Sequence, residues 1–271
     1  MNVEKIVVPD DHPRKVSLDI REQIIEGHED NIVATAGLLA HGRGEAFDYL
    51  IGEKTTPSAK DAAQATVAAL HLSEHPVISV NGNACALVPS ELVELSEITG
   101  APLEINLFYY RREREEAMLQ ALTDAGAKEV LGTCDRPSEK IPELSSNRRK
   151  VDSEGIAIAD TVLVPLEDGD RTEALRRIGK RVITIDLNPM SRTAIYSNIT
   201  IVDNIVRAMP IMVDMAKAMK SYGMQKLAKI VHDFDNKENL RIAIEGITEH
   251  LKKMAKTRII EEINDEQEAL T

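Results

Sequence analysis

Four loops of this chain carry residues that could do chemistry. Asn81-Gly82-Asn83 closes the β-branched run at 76–80, and Glu167-Asp168-Gly169-Asp170-Arg171 follows the run at 161–166. Asp186-Leu187-Asn188-Pro189-Met190-Ser191-Arg192-Thr193 follows 181–186, and Asp203-Asn204 follows 199–202. Carboxylates, amides and guanidinium groups in such places hold hydroxyls, amines and phosphates. Each loop alone is also ordinary turn chemistry, because Asp, Asn and Gly are the residues turns use. Four of them on one edge of a sheet point to a shared crevice.

The familiar phosphate loops are missing. Gly52-Glu53-Lys54-Thr55-Thr56 resembles a piece of a Walker A loop, but Glu53 intrudes and the upstream glycine is absent. His41-Gly42-Arg43-Gly44-Glu45-Ala46-Phe47 begins like a dinucleotide fingerprint but ends in Phe47 and follows no strand. It could still bring backbone amides and the Arg43 fork to an anion. There is no G-x-S-x-G, and the seven histidines show no metal spacing. His28, His71, His75, His232 and His250 suit solvated helix ends or faces. Arg111, Arg112 and Arg114 open a helix against its dipole; a solvated face balanced by Glu113, Glu115 and Glu116 accounts for them better than an anion does.

The elements that must position these groups alternate. Strands are expected at 76–80, 103–108, 129–131, 161–166, 181–186 and 199–202. Helices are expected at 89–98, 111–125, 171–178 and 205–219. Nearly continuous apolar strands between helices predict a parallel sheet covered on both faces, a Rossmann-like, doubly wound α/β fold. Its ligand crevice belongs at the carboxyl ends of the strands.

Helical additions flank this unit. One helix begins near Pro13 and runs to Gly27, a second segment carries Ala34, Leu38 and Leu39, and a third spans about 58–73. Residues 134–152 read as a long loop. Residues 1–222 form one α/β domain in this reading, and 223–271 a helical extension. There Leu240, Ile244, Ile247, Leu251 and Met254 make a seam that suits packing on the core or on a partner subunit. The acidic end EEINDEQEALT is expected to fray.

Composition sets the outer limits. Net charge is −12 over 271 residues, which opposes broad binding to nucleic acid or anionic membranes. Aromatics are 3% with no Trp, too few for base-stacking platforms. Cys85 and Cys134 are too few for a disulfide scaffold or a thiolate metal site. No run spans a bilayer, and the N-terminus has no secretory pattern, so a cytoplasmic protein is expected. From these residues alone the ligand is a polyanionic small molecule such as a nucleotide.

Several stretches together resemble one family: His12-Pro13-Arg14 with Ser17 and Arg21; AGLLAHGRGEAFDYLIGEKTT at 36–56; VPLEDGDRTEAL at 164–175; and IDLNPMSRTA with ITIVDNIVRAMP within 185–210. The chain resembles the archaeal phosphopantothenate synthetases, the 4-phosphopantoate–β-alanine ligases of coenzyme A biosynthesis. The resemblance implies an AMP-forming, carbon–nitrogen bond-forming ligase. It would convert 4-phosphopantoate, β-alanine and ATP, with Mg²⁺, to 4′-phosphopantothenate, AMP and pyrophosphate through an acyl adenylate. It also implies a homodimer.

Family ATP contacts carry over onto Arg21, Arg43, Asp186, Leu187, Asn188, Arg192, Thr193, Asn204 and Ile205. Asp186 suits a ribose hydroxyl or an adenine amine. Asp168 and Asp170 are candidates for Mg²⁺ or for the β-alanine ammonium, and Lys54 for pyrophosphate. His41 could bind the 4-phosphate or take the amine's proton, and Asn81 and Asn83 could hold the pantoyl group. Salt-bridge, structural and turn roles stand beside these. A nicotinamide-dependent oxidoreductase and a non-catalytic nucleotide sensor remain the competing functions.

Overall fold

The computed structural model describes residues 8–141, 147–166 and 168–269, the stretch 257–269 by its backbone. Residues 1–7, where the N-terminal targeting expectation partly falls, lie outside the described residues, as do Glu167 and the final pair 270–271.

Three helices precede the first strand: α1 (Lys15–Glu29), α2 (Thr35–Ile51) and α3 (Pro57–Leu72). Pro57 sits in the first turn of α3, where a missing N–H costs nothing, and Thr56 Oγ1 accepts from the Ala59 N–H at 3.1 Å. The alanines of α3 let it be buried on nearly every side.

The chain then alternates. β1 (Pro76–Val80), α4 (Gly82–Leu87), α5 (Pro89–Thr99), β2 (Leu103–Ile105), α6 (Arg112–Asp124) and β3 (Val130–Leu131) form one half. After a small antiparallel pair, β4 (Ser138–Lys140) and β5 (Lys150–Asp152), the second half follows. It comprises β6 (Thr161–Leu163), α7 (Gly169–Arg177), β7 (Arg181–Ile185), α8 (Arg192–Tyr196), β8 (Ile199–Ile201) and α9 (Ile205–Met219).

Six strands form one parallel sheet in the order β3-β2-β1-β6-β7-β8. The order reverses between β1 and β6, so the crossovers leave in opposite directions and open a crevice there. Two strands end earlier than their apolar runs. Val164 and Leu166 nevertheless keep donating to the carbonyls of Ile183 and Ile185, at 2.8 and 3.1 Å.

Alternation along each strand sorts side chains to the two faces. Ile78, Leu163 and Ile183 join the larger core with α3, α5 and α9. Val77, Val162 and Val182 join a smaller core with Ala174 and Leu175 of α7, and with Ile141, Val151 and Ile156. Those last three belong to the connection before β6. The expected loop at 134–152 is therefore a structured insert that covers one face of the sheet; its residues 142–146 lie outside the described residues. Three-residue strands are too short to show an alternating pattern in sequence.

The insert is anchored by a buried carboxylate. Glu104, fully buried on β2, accepts from the backbone N–H groups of Asp152 at 3.0 Å and Ile156 at 2.6 Å. Gly155 is required beside it, since a Cβ there would lie 2.1 Å from Glu104 Oε2. Burial outweighs these hydrogen bonds and raises the Glu104 carboxyl to about 7.

The chain closes with α10 (Met224–Asp233), which packs on α3, and α11 (Asn236–Ala269), which packs on α2, α3 and β8. The EEINDEQEALT segment is helical as far as Ala269. In the seam, Leu240 is buried, whereas Ile244 and Leu251 are exposed. No described helix is long and apolar enough to cross a membrane.

Candidate active site

A cavity of about 420 Å³ lies at the switch point, beyond the carboxyl ends of the strands. Its floor comes from the β1 end (Asn81, Gly82, Asn83), the β6 end (Leu166, Asp168) and the β8–α9 junction (Asn204, Ile205). Leu107, Phe108 and Tyr109 after β2 make one wall, joined by Arg114 and Arg148. Helix α2 makes the opposite wall with His41, Arg43 and Glu45.

The glycine-rich stretch 41–45 is thus not a loop. It lies inside α2, where its amides belong to helical hydrogen bonds, so only its side chains can meet an anion. Gly44 faces Leu187, where a Cβ would find ordinary contact at 3.5 Å from Leu187 Cδ1, and its neighbour Arg43 lines the same cavity. Arg43 has no hydrogen-bond or ion-pair partner among the described residues, and its charge acts on Asp186.

A charged tie fixes α2 in place. Asp48, one turn beyond Glu45, receives Arg207 Nη2 at 2.5 Å and Asn204 Nδ2 at 2.7 Å. Arg207 also donates to Asp203 through Nε at 2.9 Å and Nη2 at 2.7 Å. Thr55 Oγ1 donates to Asp203 at 2.6 Å. Asp203 and Asp48 are buried, and the single guanidinium of Arg207 pairs with both.

The other expected residues divide into four groups. Leu187, Asn204, Ile205, His41, Asn81, Asn83 and Asp168 line the cavity with Arg43. Asn81 is committed to the fold: its Oδ1 caps α4 on the Ala84 N–H, while Nδ2 donates to the carbonyls of Pro165 at 2.7 Å and Leu166 at 3.2 Å. This clamp across the switch point holds Leu166 at φ 53°, a conformation that costs a non-glycine residue about 1 kcal/mol or more. Asn83 Nδ2 donates to the Gly37 carbonyl at 2.9 Å, tying α4 to α2.

Asp186, Asn188, Arg192 and Thr193 do not line the cavity; they flank Leu187, which does, along the rim beyond β7, and Thr193 is buried. Asp186 accepts from the Asn188 N–H at 2.9 Å and from the Ser191 hydroxyl, so its carboxylate shapes the turn 186–191. Burial raises its pKa, against the pull of those bonds and of Arg43. Arg192 points to Asp170 and Glu173, each at 2.7 Å, in solvent.

Arg21 stands behind the cavity, donating to Glu45 at 3.0 Å beside Arg14 and Tyr49. Burial opposes ionisation of Glu45, but the Tyr49 and Arg21 hydrogen bonds prevail and its pKa falls. His41 has its Nε2 buried and without a hydrogen-bond partner; burial lowers its pKa against the pull of Glu45, with help from Arg21.

Lys54 is the residue the fold takes elsewhere. It lines a separate apolar groove between the α2–α3 connection and α11, with Ile247, His250 and Met254. Asp170, largely exposed and paired with Arg192, is also outside the cavity. Asp168 Oδ1 caps α7 on the Arg171 N–H at 2.9 Å and Oδ2 accepts from Arg148 at 3.1 Å. Among the described residues no three His, Cys, Asp or Glu side chains cluster as metal ligands.

Two arginines escaped the sequence reading. Arg114 is buried, not solvated: it donates to the carbonyls of Tyr109 at 2.7 Å and Ile32 at 2.8 Å and lines the cavity. Gly82 must be glycine here, since a Cβ would lie 2.3 Å from the Ile32 carbonyl oxygen and 2.8 Å from Arg114 Nη2. Its signal was the cation at the start of α6, where the dipole disfavours it. Arg148 reaches the cavity from the insert, its guanidinium carbon lying over the Phe108 ring at 5.8 Å from the centroid. Burial, with Arg171 nearby, lowers its pKa to about 10.

Fold and site together define a doubly wound α/β protein with an arginine-walled crevice for a polyanionic small molecule. Comparison with known proteins gives the particular lineage. Residues 58–250 match the family described as phosphopantothenate/pantothenate synthetase. The chain is 53% identical over 253 residues to the 4-phosphopantoate–β-alanine ligase of Thermococcus kodakarensis, covering 93% of this chain and 96% of that one. It is 52% identical to the protein of the same name from Methanosarcina mazei, covering 92% and 97%, and 41% identical to that of Methanospirillum hungatei, covering 90% and 98%. The chain belongs to the phosphopantothenate/pantothenate synthetase family.

Proposed function

We propose that this protein is a 4-phosphopantoate–β-alanine ligase of coenzyme A biosynthesis, driven by ATP through an acyl adenylate. The observation that carries the reading is the convergence of Arg43 from α2 with Leu187, Asn204 and Ile205 from the far strand ends on one cavity. The names of the full-length relatives supply the substrates.

The chemistry follows from the groups present. A carboxylate resists attack by an amine, so it is first activated. A pantoate carboxylate oxygen attacks the α-phosphorus, the bond to the bridging oxygen breaks, and pyrophosphate leaves. The neutral β-alanine amine then attacks the acyl carbon and AMP leaves. Both steps crowd anions together, and the protein's task is alignment and charge neutralisation.

Arg43 forks onto phosphate oxygens beside the N-terminus of α9, whose first amides favour anions. His41, which lines the same cavity, takes the amine's proton in this reading. A cavity of 420 Å³ is at the small end for ligand sites, so the nucleoside extends over the rim at Asp186, Asn188, Arg192 and Thr193. Mg²⁺ belongs to the proposal only as a counter-ion that ATP brings. Homodimerisation and a cytoplasmic location are part of the same reading.

The test is product formation. Multiple turnovers to AMP and pyrophosphate in equal amounts should require 4-phosphopantoate and β-alanine together with ATP. ATP binding without turnover would leave a nucleotide sensor, and binding of NAD(P)H in place of ATP would leave an oxidoreductase.

A further inference from the structure

We propose that the groove between the α2–α3 connection and α11 is a second ligand site, built for a small molecule with an apolar body and a carboxylate end. It lies outside the crevice, and the ligase reading neither requires nor supplies it.

The groove holds about 510 Å³, more than the crevice cavity and within the range of small-molecule sites. Its floor is Ile51 at the end of α2, Val202 after β8 and Ala243 of α11, all buried. Ile247 and Met254 line it from the same helix, about one turn and about three turns beyond Ala243, so all three share a face of α11. This floor offers no polar side chain. A sugar, a nucleobase or a phosphate chain laid on it would lose its hydrogen bonds, whereas an apolar body gains by leaving water.

Charge is confined to the rim. Lys54 lines the groove from the α2–α3 connection and has no hydrogen-bond or ion-pair partner among the described residues. Lys253 adds a second ammonium from α11. His250 joins the two sides: it stands one turn before Lys253, and its ring rests against Gly52, where a Cβ would lie 3.1 Å from its Cε1. Glu249 is the one carboxylate among the lining residues, and Lys252 holds it at 2.8 Å. The rim is therefore positive in a chain whose net charge is −12.

That complementarity calls for an anion at the rim and an apolar group beneath it. No arginine lines the groove, so the fork that matches phosphate is absent. A lysine ammonium with an imidazole beside it suits a carboxylate.

Titration calorimetry of the full chain with octanoate, octanol and octylammonium tests this. The wild type should take up one octanoate per chain, at least tenfold more tightly than octanol, with octylammonium weaker again, and should do so with ATP already bound. Lys54→Gln should weaken octanoate at least threefold and leave octanol within twofold. Gly246 also lines the groove, and a Cβ there meets nothing within 4 Å, so Gly246→Trp can fill the space. It should abolish octanoate binding with an unchanged unfolding midpoint and unchanged ATP binding; Gly246→Leu serves in its place if the tryptophan variant is unstable. Equal uptake of octanoate and octanol would overturn the proposal. So would binding retained in the filled groove, displacement of octanoate by ATP, or no octanoate binding at millimolar concentration. A dimer that octanoate or Gly246→Trp dissociates in sedimentation would give the groove to a second copy of the chain and overturn it equally. Octanoate binding is read without turnover, so failure of the ligase reaction would leave it untouched.

Discussion

The two walls of the crevice divide their charges differently. On the α2 side, Asp48, Asp203 and Arg207 hold the backbone, and a different residue, Arg43, faces the cavity. On the β2 side the same arginines do both. Arg114 bonds two carbonyls and lines the cavity; Arg148 bonds Asp168, lies over Phe108 and lines it too. Stability and function are therefore separable on the first wall and coupled on the second. An unpartnered arginine can follow a substrate that changes during turnover, while a buried one is preorganised and cannot move without unfolding its surroundings.

The largest expected effect sharpens that contrast. Arg114→Ala should cost about 2–3 kcal/mol, because two part-buried carbonyls lose their charged donor, and activity should fall with it; denaturant melts and initial rates measure the two together. Next is Arg43→Ala, which should lower kcat/KM on the order of 100-fold with an unchanged melting midpoint. A loss of stability comparable to that of Arg114→Ala would break the comparison.

A smaller effect concerns pH. The Glu104 carboxyl rises to about 7 on burial, above its value in the unfolded chain. The folded state thus holds the proton more tightly. The stabilisation is complete below about pH 4.5 and is lost as pH rises through about 7, a change on the order of 1–3 kcal/mol. Urea titrations across that window should show the wild type declining with a slope that Glu104→Gln lacks. The smallest effect is expected at the rim. Arg192→Ala removes an exposed pair with Asp170 and Glu173, so stability should change by less than about 1 kcal/mol while the KM for ATP rises severalfold. An unchanged KM would detach the rim from the nucleotide.

How much was legible in advance depended on the range of the interaction. The strands at 76–80 and 181–185 and the helix at 205–219 were readable because burial imposes its period on neighbouring residues. The convergence of strand-end loops was readable because a parallel sheet puts every carboxyl end on one edge. Asn81, Asn83 and Asp168 do meet there, but as clamps and a cap before anything else. The insert at 134–152 was misread because its short strands are held by Glu104 and Asn106, partners tens of residues away.

The amino-acid sequence by itself determined the layered α/β class, the edge that carries the site and a set of polar candidates, since these rest on local periodicity and composition. Only the tertiary structure decided which charges face the cavity. It turned Lys54 toward α11, paired Arg192 and Asp170 in solvent, buried Arg114 and brought Arg148 in from the insert. A guanidinium spans enough rotatable bonds to reach either solvent or crevice. Which one it reaches is fixed by carbonyls and carboxylates that only folding brings within hydrogen-bonding distance.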